Sequence, residues 1–209
     1  MGFYADSILP RIINRFMAGD EFAPHRRDCL AGVSGDVLEI GFGSGLNLPY
    51  YPSDVRKLYA LDPAKLGRKL AAGRLADCSF PVEFVNLEEE SIPLPEDSVD
   101  AAVCTWTLCT IPEPGQALRE VGRVLKPGSR FHFVEHGLSS DPEVARWQDR
   151  LTPFHRWYAG GCRLNRKIDA IIQEAGFELE RMENVYMCGP RIGSYLYKGL
   201  AVMRRHHRR

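Results

Sequence analysis

No excess charge of either sign is present: 27 lysines and arginines balance 27 aspartates and glutamates over 209 residues. A neutral chain has no bulk field to draw it onto nucleic acid or an anionic membrane, so neither is expected as a partner. The one local exception is the terminal MRRHHRR, with Arg204, Arg205, Arg208 and Arg209, which reads as a solvated end. CxxC pairs are also missing. The six cysteines, Cys29, Cys78, Cys104, Cys109, Cys162 and Cys188, are scattered, with no histidine nearby at zinc spacing, so no metal site is expected. Several lie in apolar runs such as AAVCTWTLCTI, where a free thiol packs as a small hydrophobe. No apolar run reaches membrane-spanning length. MGFYADSILPRIINRF has neither the basic start nor the apolar core of a signal peptide. These absences imply a cytoplasmic protein without stable membrane insertion. Repeats and low-complexity linkers are absent too, and the length suits a single domain with one substantial core.

What is present alternates. Short β-like runs at 37–40, 57–61, 82–85, 101–105 and 130–135 are separated by helical patterns at 64–76 and 116–125. In the second of these helices Leu118, Val121 and Leu125 share one face, and the KPGS that follows is a stop signal. Strands alternating with helices imply βαβ units. The tail half differs. DPEVARWQDRLTPFHRWYAGGCRLNRK is aromatic-rich and broken by Pro153, Gly160 and Gly161, which predicts a helical insertion after the fifth strand. A helix at 166–174 and strands at 177–185 and 194–202 complete the chain, the two strands close enough to pair antiparallel at one edge. The expected fold is α/β: a Rossmann-like, mostly parallel seven-stranded sheet with helices on both faces and an antiparallel last strand.

The first strand runs into DVLEIGFGSGLN, with Gly41, Gly43 and Gly45 after Glu39. Glycines in that place let a loop turn tightly and a ligand approach the backbone, and in open α/β sheets ligands sit beyond the carboxyl ends of the strands. Asp62 ends the next strand, in LYALDPA, where a carboxylate can accept both ribose hydroxyls of a nucleoside. A dinucleotide needs G-x-G-x-x-G, and here the third glycine would fall on Leu46. The loop has no lysine, which excludes a P-loop. Glu39 suits a ligand end that carries an amine better than one that carries phosphates. The combination favours S-adenosylmethionine, which has a ribose, an α-amino group and a sulfonium.

The segments LEIGFGSG, ALDPA, EEESIPLPEDSVDAAVCT and LREVGRVLKPGSRFHFVEH occur in order over 36–136. Together they resemble the class I S-adenosylmethionine-dependent methyltransferases, in the group that includes the ubiquinone and menaquinone C-methyltransferases. The resemblance implies that Gly41, Gly43 and Gly45 line the methionine and ribose portions, with Glu39 near the amino group. It implies further that Asp62 holds the ribose, Pro63 packs by the adenine and Thr105 approaches the methionine end. Glu88 and Glu89 occupy the pair that reads the adenine edge, where relatives often carry Asp-Ala, so Glu89 departs from the pattern. On this reading 1–35 form a helical cap, 36–136 the cofactor half, and 137–209 the acceptor side.

A narrower likeness covers the region from about 36 to the C-terminus. CTWTLCTIPEPGQALREVGRVLKPGSRFHFVEHG, a Trp-rich helical stretch and GGCRLNR are similar to the mammalian microsomal alkyl-thiol methyltransferases. Those relatives carry an N-terminal hydrophobic anchor, which is not expected here. The resemblance implies a small, fairly apolar acceptor, a thiol first. Methyl transfer from a sulfonium is an in-line displacement that requires placement, dryness and at most one base. His136, ending the fifth strand, and His155, in the aromatic insertion, are the base candidates, with His136 favoured, and Trp106 is expected to line the acceptor pocket. His155 is expected to have a structural or surface role, Asp100 to be a turn residue before a strand, Trp157 to be core, and Cys109 and Cys162 to be inert packing, since neither has a partner nearby in sequence. Phe3 and Tyr4 would belong to a lid. Lipid-headgroup or quinone-type methylation, and a non-catalytic cofactor-binding module, are the alternatives. The protein is expected to be a monomer or homodimer.

Overall fold

The computed structural model describes residues 8–87 and 91–204. Glu88, Glu89, Phe3, Tyr4 and the basic tail beyond Arg204 lie outside those residues. Two helices, α1 (Leu9–Met17) and α2 (Ala23–Leu30), precede β1 (Gly35–Ile40). The chain continues through β2 (Val55–Leu61), α3 (Lys65–Leu70), α4 (Ala72–Ala76), β3 (Val82–Val85), β4 (Val99–Thr105), α5 (Pro114–Val124) and β5 (Leu125–His136). After it come α6 (Pro142–Tyr158), α7 (Ile168–Glu174), β6 (Phe177–Tyr186), the four-residue α8 (Arg191–Ser194) and β7 (Tyr195–Met203).

Among the described residues the sheet has seven strands in the order β3-β2-β1-β4-β5-β7-β6. The first five are parallel, and β7 runs antiparallel between β5 and β6. A parallel strand with both faces covered reads as a nearly continuous apolar run, and GDVLEI and VDAAVCT are buried almost throughout. The pleat sends Leu38 and Ile40 into a core with Phe131, Phe133, Leu118, Ile168 and Phe177. Val37 faces the other way, into a core with Leu30, Leu58, Ala60 and Val103. From β1 the chain steps outward to β2 and β3, then returns to β4 on the other side of β1. That reversal between β1 and β4 is a topological switch point, the place where open α/β sheets bind ligands beyond the carboxyl ends of their strands.

Three boundaries differ from the sequence reading. KPGS is not a helix stop; α5 ends at Val124, and KPGS is a bulge inside β5, where the pairing jumps from Val99↔Leu125 to Ala101↔Arg130. The 64–76 helix is two short helices meeting at Ala71, in a stretch weakened by Gly67 and Gly73 at about 1 kcal/mol each relative to alanine. In the insertion, Pro153 does not break the helix: α6 continues for 17 residues with the proline on an exposed face. One lost backbone hydrogen bond at a solvated turn is tolerated, whereas Gly160 and Gly161, at φ 64° and 93°, end the helix.

The packing of α6 is inverted. Trp147, Leu151, Phe154, Trp157 and Tyr158 are exposed, while its buried positions are Val144, Gln148 and Thr152. Trp157, expected in the core, is 79% exposed. The reason is Gln148, which has no exposure. Its Oε1 accepts from Ser139 N (2.8 Å), and its Nε2 donates to Gly137 O (3.1 Å) and Ile192 O (3.0 Å). Fully satisfied, this amide is a tolerable buried polar group that ties α6 to the exit of β5.

Candidate active site

Strand register sets out the site. Ile40 pairs with both Leu61 and Cys104, and Thr105 with Val134. Gly41, Asp62, Trp106 and His136 therefore leave four adjacent strands at the same edge. All three loop glycines adopt positive φ, at 73°, 56° and 72°. A Cβ on Gly41 would collide with the side chain of Thr107, so the β1 and β4 loops touch only because that position is bare. Over Gly43 there is open space, its nearest neighbour being the Gly41 carbonyl at 3.8 Å. A Cβ on Gly67 would strike the Gly43 carbonyl. The close helix approach that a third loop glycine would provide thus comes from α3, a contribution missed in the sequence.

Asp62 organises this loop. Its Oδ2 accepts from Gly43 N and its Oδ1 from Ala64 N, both at 2.7 Å. A carboxylate has lone pairs for two further bonds, so a diol can still be received. Pro63 follows it and is exposed.

Glu39 is 1% exposed and accepts from Tyr51 OH (2.7 Å) and Asn47 Nδ2 (2.9 Å). Burial pushes its pKa up to about 7, against the pull of Tyr51, Asn47 and the nearby Arg26. Arg26 comes from α2, is itself buried, and donates to Asn47 Oδ1 (2.7 Å) and more weakly to Thr105 Oγ1 (3.4 Å). Asn47 Nδ2 also reaches Thr105 Oγ1 at 3.1 Å. Burial lowers the Arg26 pKa to about 10, which leaves it cationic at neutral pH. One network therefore presents a carboxylate and a guanidinium beside the glycine loop. Glu39 and Thr105 were legible in the sequence; Arg26, Asn47 and Tyr51 were not, because arginine in an N-terminal helix carries no spacing signal.

Trp106 stands where β4 ends and holds φ at +48°, a left-handed conformation that costs a bulky residue on the order of 1–3 kcal/mol. Trp106 N donates to Val134 O (2.9 Å), and its ring packs edge-on against Phe22 and lies 4.7 Å below the Arg26 guanidinium. Glu135, fully buried, pins the loop beyond. It accepts from Thr107 N (2.8 Å), Cys109 N (3.2 Å) and the Cys104 thiol (3.3 Å). Burial raises its pKa to about 7 against those bonds. Sequence reasoning overlooked Glu135 beside His136.

His136 is buried, with Nδ1 3.5 Å from Cys162 Sγ and Nε2 bonded to no described residue. Cys162 Sγ also lies 3.5 Å from Cys109 Sγ. His155, half-buried, holds Cys162 O with Nδ1 (3.1 Å), its ring centroid 6.5 Å from that of His136. The two cysteines, read as inert because each lacked a local partner, are partners of one another across 53 residues. Asp100, expected in a turn before the strand, lies inside β4, where at the opposite end of the strands from the glycine loop it accepts from Asp36 N, Lys126 and Arg56. Among the described residues no acidic, histidine and cysteine cluster forms a metal site, and no helix is long and apolar enough to cross a membrane.

Comparison with known proteins bears on the fold and on the cofactor-side segments of the sequence. A methyltransferase domain family, Methyltransf_11, matches residues 38–133. Thiol S-methyltransferase TMT1B of Rattus norvegicus is 33% identical over 162 residues, 74% of this chain and 65% of that protein. The chain thus spans just under two thirds of that relative's length. The ubiquinone/menaquinone biosynthesis C-methyltransferase UbiE of Rhodopseudomonas palustris is 32% identical over 127 residues, 60% of this chain and 48% of that one. The crystal structure of YcgJ from Bacillus subtilis superposes with a TM-score of 0.65 over 89% of this chain and 99% of its own, at 18% identity, which shows the shared fold. The fold is that of the class I methyltransferases, and the sequence is similar to S-adenosylmethionine-dependent members of that class. Within this fold, residues 38–133 are the part that matches the Methyltransf_11 methyltransferase domain.

Proposed function

We propose that this protein moves a methyl group from S-adenosylmethionine to a small, fairly apolar acceptor, a thiol first, by in-line displacement. The residues present fit the cofactor. The space over Gly43 admits a backbone-hugging ligand, Asp62 keeps lone pairs for a ribose, and Glu39 with Arg26 matches the two charges of an amino-acid end. On this assignment Gly41 and Gly45 shape the loop, Pro63 flanks the adenine and Thr105 orders the methionine end through Asn47. Glu88 and Glu89 are assigned to the adenine edge from their place in the chain. When bound, the cofactor supplies an electrophilic methyl on a sulfonium.

The single observation that carries the acceptor assignment is His136: a buried imidazole whose Nε2 has no partner among the described residues, at the strand end beside Trp106. A buried nitrogen without a partner is costly unless something else meets it. As base, His136 Nε2 takes the thiol proton, and the thiolate displaces the methyl. Thiols ionise near pH 8.5, so modest help is enough. Trp106 walls the acceptor and, through Phe22, keeps water out. Two relatives named as thiol S-methyltransferases support the accepting atom.

Incubation with methyl-labelled S-adenosylmethionine and a panel of alkyl thiols, alcohols, amines and quinols tests this. Labelled thioether is the expected product. Transfer only to oxygen, nitrogen or carbon overturns the thiol and retains the class. The exposed stripe Trp147, Leu151, Phe154 and Tyr158 on α6 favours a second reading, in which the acceptor is a lipid or quinone at a membrane surface. Transfer that requires vesicles would select it.

A further inference from the structure

Cys109 and Cys162 have no part in methyl transfer as proposed, yet their sulfurs are in contact. Cys109 lies on the loop after β4, held through its own N–H by Glu135, and Cys162 lies just beyond α6. The backbone has already fastened these segments together. Arg163 N donates to Cys109 O (2.9 Å), and the buried Arg166 guanidinium donates to Leu108 O and Pro112 O. Closing 3.5 Å to a sulfur–sulfur bond of about 2.05 Å therefore calls on side-chain rotation more than on chain movement. No other cysteine pair among the described residues is in contact: Cys104 is engaged with Glu135, and Cys188 is exposed.

The two thiols are unequal. The Cys109 thiol, with His136 and His155 behind it, holds the Cys162 pKa below the ordinary thiol range, while the same contact and burial push Cys109 up. That asymmetry makes Cys162 the attacking sulfur and Cys109 the resolving one. Cys162 (9% exposed) and Cys109 (2%) are both buried, so the pair is closed to a bulky oxidant and only a small one is proposed for it.

We propose that Cys109 and Cys162 form a hydroperoxide-oxidisable pair whose disulfide locks the loop after β4 to the end of α6 and silences the acceptor side of the site. In the first step the Cys162 thiolate attacks a peroxide oxygen. The S–O bond forms as O–O breaks, and the departing hydroxide takes up the proton released by the Cys162 thiol, leaving as water. In the second, Cys109 Sγ attacks Cys162 Sγ. S–S forms, S–O breaks, and the second hydroxide leaves as water with the Cys109 proton. Two thiols are oxidised by two electrons and one hydrogen peroxide is reduced. The new bond draws Cys162 away from His136 Nδ1, while Glu39, Asn47 and Asp62 are untouched.

The claim of silencing rests on the proposed function; the cross-link and the locking do not. Titrating the full chain with hydrogen peroxide, mapping peptides without reductant and following hydrogen exchange separates them. The expected result is a Cys109–Cys162 peptide before any oxidation of Cys188 and slower exchange at 106–112 and 159–166. Cofactor affinity should stay within about twofold, and methyl transfer should fall at least about fivefold and return with dithiothreitol. Cys109→Ser should leave Cys162 as sulfenic or sulfinic acid with no cross-link. Oxidation of Cys188 first, or no 109–162 peptide, overturns the pair. A cross-link with unchanged exchange overturns the lock, and one with unchanged transfer overturns the silencing. Oxidised glutathione is the size control, expected to react slowly at this pair.

Discussion

The loop between β1 and β2 and the long helix after β5 are built on opposite rules. Around the glycine loop, sequence and environment agree: apolar strand residues are buried, glycines stand at positive φ, and a carboxylate holds backbone N–H groups. Along α6 they disagree. The aromatic positions face outward, and Gln148 and Thr152 face inward. The first region is fixed by what its backbone must do. The second is fixed by which neighbour needs hydrogen bonds, and in satisfying the β5 exit it leaves an apolar stripe on the surface.

Substitutions can break or sharpen that contrast. The largest effect is expected from Gly43→Leu, which fills the open space above the loop and strains a φ of 56°; cofactor affinity by calorimetry should fall more than about a hundredfold while the protein still melts cooperatively. His136→Gln should lower kcat by about a hundredfold or more with cofactor affinity unchanged, since a positioned base contributes on that scale. Asp62→Ala should weaken binding on the order of 1.5–3 kcal/mol through its charged acceptor. Gln148→Ala leaves Ser139 N, Gly137 O and Ile192 O without their partner. It should cost roughly 1–3 kcal/mol in denaturant melts. Trp157→Ser, on the exposed stripe, should change stability by less than about 0.5 kcal/mol. A Trp157 effect larger than that of Gln148 would mean the helix packs the other way round.

Titration provides a finer test. Burial raises Glu39 from its ordinary 4.5 to about 7. A carboxyl raised on folding holds its proton more tightly in the folded state, so its contribution to stability is full below about pH 4.5 and is lost as pH rises through 7. Glu135 adds to the trend in the same window. On the proposed assignment the cofactor's ammonium requires the ionised form of Glu39, so affinity should move the opposite way, rising about tenfold between pH 6 and 8. Glu39→Gln should flatten the affinity profile and leave the part of the stability slope that belongs to Glu135.

Much of the glycine loop's geometry was legible because its signals are local. Gly41, Gly43, Gly45, Glu39 and Asp62 sit at fixed offsets from strand ends, and strand ends are marked by apolar runs. KPGS misled because proline and glycine end helices and also make bulges, and only the partner strand distinguishes the two. Arg26, Asn47, Tyr51 and Glu135 passed unnoticed because their roles depend on burial against distant groups. Trp157 was misplaced because an aromatic is usually buried, and nothing local announces that a glutamine will take its place.

By itself the sequence determined the α/β alternation, the bare loop after the first strand and the acid after the second, since backbone conformation and strand periodicity are short-range properties. The tertiary structure alone decided that Cys109 meets Cys162, that Arg26 turns toward Asn47, and that α6 shows its rings to solvent. Those outcomes depend on which segments the sheet order brings together, and a pairing across 53 residues leaves no trace in spacing.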